Sequence, residues 1–183
     1  LACDVAAESA WFLGESIGFW IQTGAFFLSA LAGVAVIFNN NHRARQRATV
    51  DLSLAETNNK ALQEAKDKIA EYQGQNANFK EFACESAKYK DQNAHITMLL
   101  NHHEFIATGI KEGVFDEEIY KRMRRSILLK DYKELTTYIE QLRESMRRPT
   151  LFMEFEWLCK RWEESPIPRN LPWHRRVKNR LGM

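Results

Sequence analysis

The sequence predicts an all-α protein: one N-terminal transmembrane helix, then a long amphipathic helix, then a small helical domain on the cytoplasmic side. Three observations carry this. Residues 17–38 read IGFWIQTGAFFLSALAGVAVIF, 22 residues without a charge. Beyond them apolar residues recur at intervals of three and four, the helical period, and nowhere alternate as strands require. Punctuation is sparse after the apolar run, so that Gly74, Gly113 and Pro149 mark the expected breaks.

The chain has 183 residues, room for one domain and an anchor but not for two full domains. A mean hydropathy of −0.46 averages one nearly charge-free stretch with a remainder rich in Lys, Glu, Asn and Gln. The net charge of +2 does not mark a nucleic-acid binder. Cys3, Cys84 and Cys159 are odd in number, far apart and without a C-x-x-C pair. Cys84 and Cys159 are expected to be free thiols in a reducing compartment.

Residues 1–16 are expected to form a short extracytoplasmic segment, with the span at 17–38. As a helix, 22 residues rise about 33 Å, against a hydrocarbon core of about 30 Å. Ile17, Phe26, Phe27, Leu31 and Phe38 are among its lipid-facing candidates, and Trp20 suits the headgroup level. Before the run stand Asp4, Glu8 and Glu15 and no Lys or Arg, unlike a signal peptide. After it come Arg43, Arg45 and Arg47, with no acid until Asp51. The positive flank stays inside, so residues 39–183 are expected in the cytoplasm and the N-terminus outside the bacterial inner membrane. Ala25, Ser29 and Gly33 place small residues on one face of the span, which would let two copies approach closely.

Residues 39–73 contain neither glycine nor proline, and the span is expected to run on into a juxtamembrane amphipathic helix. Ala55, Leu62 and Ile69 recur at seven, with Ala65 and Tyr72 between them, a short coiled-coil-like repeat. A helical domain is expected over 79–164. Its first helix runs from about Phe79 to Ile110, with Leu99, Leu100, His103, Ile106 and Ile110 on one face. Asp116, Glu117 and Glu118 open the next helix. Asp131 is read as the cap of another, striped by Leu135, Tyr138, Ile139 and Leu142 and stopped by Pro149. The last helix, Leu151–Trp162, carries Phe152, Phe155, Leu158, Cys159 and Trp162 on a broad apolar face.

NHHEFIATGIKEGVFDEEIYKRM (Asn101–Met123), YIEQLRES (Tyr138–Ser145) and FMEFEWLCKRW (Phe152–Trp162) resemble domain-of-unknown-function family 4760, a bacterial and prophage family. The exit NNNHRARQRATVD (Asn39–Asp51) is similar too, and the resemblance covers about residues 17–162. It implies an N-terminal span followed by a helical cytoplasmic part, and no catalytic residues come with it.

Chemistry is hard to find. His102 and His103 are adjacent, about 100° apart on a helix, and cannot share one metal ion. One is expected to pack at a helix interface and the other to face solvent. Glu104, Asp116, Glu154 and Glu156 read as solvated helix charges. The chain has no phosphate-binding glycine loop, G-x-S-x-G or H-E-x-x-H. No catalytic site, metal or cofactor is therefore expected. The tail, residues 165–183, carries Arg175, Arg176, Lys178 and Arg180 with Trp173 and no acid. Anionic lipid is its expected ligand and nucleic acid the second candidate.

These readings converge on a non-enzymatic, membrane-tethered interaction protein, self-associating and with an unidentified protein partner. Phage exclusion, or another prophage-linked function at the envelope, is its most specific form. Phe152, Phe155, Trp157 and Trp162 are the expected partner surface. The alternatives are a tethered signalling or effector enzyme of unrecognised type, and a nucleic-acid binder acting through the tail.

Overall fold

The structure, a computed structural model, describes residues 11–12, 15–84 and 87–165. The tail residues Arg175, Arg176, Lys178 and Arg180 lie outside them. The described residues are all-α apart from a short antiparallel pair, β1 (Trp11–Phe12) with β2 (Glu15–Ser16), ahead of the first helix. It divides into two compact units, residues 1–43 and 44–183.

α1 (Ile17–Asn58) is 42 residues long, continuous from the apolar run into the charged sequence beyond it. By length and composition it can cross a membrane. Its Ile21, Phe26, Phe27, Leu28 and Phe38 are each 67–72% exposed, so no protein core takes them up.

In the second unit, α1 ends sooner than the absence of glycine and proline suggested. Asn59 is extended at ψ 95° and its side chain accepts from Leu62 N at 3.1 Å, which starts α2 (Lys60–Gly74). Asparagine caps a helix as well as glycine ends one. The seven-residue repeat is therefore split: Ala55 is exposed on α1, whereas Leu62, Ala65 and Ile69 are buried by α2 packing on the domain itself. A coiled coil along 39–73 has lost its seam to the core. At the end of α2 the left-handed position falls to Asn76 (φ 51°), two residues beyond Gly74.

The stretch expected as one helix from Phe79 is two, α3 (Phe79–Cys84) and α4 (Lys90–Lys111). Conversely, α5 (Glu117–Met146) is one helix of 30 residues where two were expected. Asp116 caps it, accepting from Ile119 N at 3.0 Å. Asp131 does not cap: it sits mid-helix because its carboxylate accepts from His103 instead of from its own backbone. Arg147 in the left-handed region (φ 53°) ends α5 two residues ahead of Pro149. α6 (Met153–Glu164) closes the domain on α4 and α5. The core joins Leu62, Ile69, Leu99, Leu100, Ile106, Leu128, Leu135, Tyr138, Phe155, Leu158 and Trp162.

Candidate functional site

The residues singled out from sequence take three different places. Ile17, Trp20, Phe26, Phe27, Leu31 and Phe38 are all exposed on α1. Ala25, Ser29 and Gly33 are exposed as well, and a Cβ added at Gly33 would meet nothing within 4 Å. Arg43, Arg45 and Arg47 are exposed, but Arg45 also serves the fold, its Nη2 donating to Phe115 O at 3.2 Å. The aromatic partner surface is corrected. Phe152 is 4% exposed and Phe155 and Trp162 are 0% exposed, because α6 turns its apolar face into the core. Only Trp157 reaches solvent, half-buried between the Lys111 ammonium and the Arg161 guanidinium, 5.5 and 5.6 Å from its ring centroid.

The most concentrated chemistry lies where sequence reading did not look. On α1 the polar Arg45, Thr49 and Glu56 fall on one face by their spacings of four and seven, Thr49 and Glu56 buried and Arg45 exposed at its edge. Thr49 Oγ1 accepts from Asp116 N at 2.7 Å. Glu56 is 3% exposed and is the hub. Its Oε1 accepts from Tyr120 Oη at 2.7 Å and from His102 Nε2 at 3.0 Å. Its Oε2 lies 3.3 Å from Arg124 Nε, an ionic contact not aligned as a hydrogen bond. His102 is thus tied to Glu56, not solvated. His103, on the next position of α4, donates from Nε2 to Asp131 at 2.9 Å and stacks on Phe155 at 4.8 Å. Its Nδ1 is buried without a partner.

The charges set each other. Burial works to raise the Glu56 carboxyl, but the bonds from His102 and Tyr120 and the charges of His102 and Arg124 together hold it below the usual range. Burial pulls His103 down, against the opposing pull of Asp131, so its imidazole is favoured neutral. Burial likewise lowers Lys66, partly offset by the charges of Glu56 and Asp131. Burial, with Glu56 beside it, pushes the Tyr120 phenol far up.

The His103 and Glu56 shifts make stability fall on acidification. For His103 the unfolded chain takes a proton near pH 6.5 while the folded one resists, so stability is full above that pH and declines below it, by at most about 1.4 kcal/mol per pH unit. For Glu56 the contribution is full above about pH 4.5 and is lost as pH falls through the folded value beneath it. Urea midpoints measured from pH 8 down to about pH 2 should therefore drop in two stages. In His103→Gln the upper stage should vanish while the lower remains; an unchanged profile would remove His103 from the account.

Arg, His and Tyr around a carboxylate are also the makings of acid–base chemistry, but these groups are closed in. Glu56, His103 and Tyr120 are each at most 3% exposed. Among the described residues, no group of three or more His, Cys, Asp or Glu is placed to hold a metal ion. Cys159 is buried and its thiol pushed up by burial, the reverse of an activated nucleophile. What the arrangement does is fasten α1 to α4 and α5 through side chains.

Glu104, read as a solvated charge, has a structural partner as well. Its carboxylate accepts from Glu154 N at 3.2 Å and Phe155 N at 2.7 Å, capping α6 from α4. Negative charge at a helix N-terminus is favourable. Phe152 precedes it in a left-handed conformation (φ 56°) and supplies no cap of its own.

A family model described as a domain of unknown function (DUF4760) matches residues 20–162. No curated protein and no solved structure matches the chain.

Proposed function

The chain belongs to the DUF4760 family, a domain of unknown function, and from that premise we propose that it is a non-enzymatic, membrane-tethered interaction protein. The uncovered apolar stretch of α1 is the observation that carries this reading. An exposed run of Ile, Phe, Leu and Val from Ile17 to Phe38 is unfavourable in water and favourable in a bilayer. With Arg43, Arg45 and Arg47 behind it, the orientation we assign puts residues 39–183 in the bacterial cytoplasm. A second copy is the natural cover for the Ala25, Ser29 and Gly33 face.

The role we assign is steric. The anchor raises the effective concentration of the helical domain for a partner working at the membrane. Exclusion of incoming phage is the form to test. An effector enzyme at the Glu56 centre is the less favoured reading, since its substrate would have to reach groups that solvent does not. In a susceptible bacterial host, expression of the full chain should lower phage plating. A version lacking residues 1–38 should leave the membrane fraction and lose the effect. Unchanged plating across a broad phage panel refutes exclusion, and protection without the anchor refutes tethering.

A further inference from the structure

We propose that the α4–α5 loop around Val114, with Phe105 beside it, is a second membrane contact that docks on anionic lipid next to the anchor. This rests on the tethered reading above. The starting observation is an apolar loop tip. Turns of this kind usually end in polar or glycine residues, yet Val114 stands 53% exposed at this one. Phe105, on the last turns of α4, is 57% exposed and meets Phe115 edge-on at 5.8 Å. Phe115 in turn fills the notch at Gly109, where an added Cβ would come within 2.5 Å of its ring. One apolar surface therefore extends from the core out to Val114 and Phe105.

The loop is held in this pose. Val114 N and Phe115 N donate to Gly109 O at 2.8 and 3.1 Å, and Gly113 takes the left-handed conformation (φ 71°). Asp116 N is fixed by Thr49. Arg45 lies along the same loop: it donates to Phe115 O, and a Cβ at Gly113 would stand 3.9 Å from its Cζ. Exposed Arg47 follows on α1, and Lys111 stands at the end of α4, where Glu154 already pairs with it at 2.8 Å; the exposed acids nearby in sequence are Asp51 and Glu112. Arg45 and Arg47 beside an apolar tip match a bilayer surface, where cations meet phosphate and the tip reaches the acyl boundary.

Connectivity supplies the proximity. Arg45 is seven residues after Phe38, the end of the uncharged run. Even a fully extended chain of that length reaches no more than about 25 Å. A loop braced on Arg45 is thus tethered within that distance of the end of the uncharged run.

The test uses the full chain in vesicles of phosphatidylcholine alone or with phosphatidylglycerol. Cys3 and Cys84 are changed to Ser, Cys159 being buried, and an environment-sensitive dye is placed at Val114→Cys. A control dye sits at Lys133→Cys, an exposed site 17 residues along α5 from Asp116, roughly 25 Å away. With phosphatidylglycerol, spin-labelled lipid should quench the dye at 114 by about half, and 0.5 M salt should reverse this. The dye at 133 should not respond, and Phe105→Asp should weaken quenching at 114. Equal quenching at the two sites, or none at 114 in a chain that resists carbonate extraction, overturns the inference and leaves the anchor standing. Energy transfer between copies at 114 in place of lipid quenching assigns the patch to a second chain and also overturns it. Extraction of the chain by carbonate overturns the tethered reading, and this inference with it.

Discussion

Glu56→Ala is expected to destabilise the domain by about 3–5 kcal/mol, the cost of removing one partner from a buried charged set. The carboxylate is closed to solvent and serves three groups at once: the Tyr120 hydroxyl, His102 and the Arg124 guanidinium. Without it the hydroxyl loses its acceptor, and Arg124, only partly exposed, keeps a charge with no counter-ion. Replacing Glu56 by Gln keeps the shape and an acceptor for Tyr120 but not the charge, so its loss should be smaller. Urea titration of the full chain in detergent micelles, followed by helical circular dichroism, would measure both. If the alanine variant kept the wild-type midpoint, Glu56 would not be fastening α1 to the domain. A double-mutant cycle with Arg124→Ala isolates the ionic part and should give a coupling of about 0.5–3 kcal/mol.

Trp162→Ala is expected to cost a comparable 3–5 kcal/mol or so, and Trp157→Ala only about 1 kcal/mol. The two indoles lie five residues apart on α6 and would look interchangeable to a partner-surface reading. Trp162 is fully buried, packs 6.5 Å from Tyr120, and donates from Nε1 to Glu117 at 3.1 Å. Its truncation leaves a cavity and removes one bond from Glu117, which keeps its pairing with Arg161. Trp157 lies on the rim, where its ring mainly receives the Lys111 and Arg161 cations. Midpoints from the same titration decide the matter, and equal losses for the two variants would contradict the burial of the α6 face.

How much of this was legible in advance depended on whether the signal was local. The apolar run of α1, the Asp116 cap and the buried stripe of α6 are written in consecutive residues, and all appear in the structure. The break at Asn59 was missed because only glycine and proline were counted as helix breakers, although Asn58–Asn59 was the available clue. Asp131 was misread for the opposite reason: an aspartate in a helix looks like a cap until its distant partner is known, and His103 is 28 positions away. The Glu56 centre joins residues 46–68 positions apart, which no spacing rule connects. Its one local trace was the shared polar face of Arg45, Thr49 and Glu56, easily taken for a solvated side.

The two ends of α6 bear on the order in which the domain forms. Its first amides are closed by Glu104 from α4; at its far end Trp162 O accepts from Arg125 and Ser165 O from Lys121, both on α5. Twelve residues are too few for a helix to persist alone in water. α6 therefore has no stable existence before α4 and α5 are in place. During synthesis the chain emerges from its N-terminus, so the earlier helices must wait with the surface that Phe155 and Trp162 will cover still open to water. The ribosome releases α6 only after the helices it packs on, and a nascent chain stopped short of it is the species a chaperone or protease would recognise.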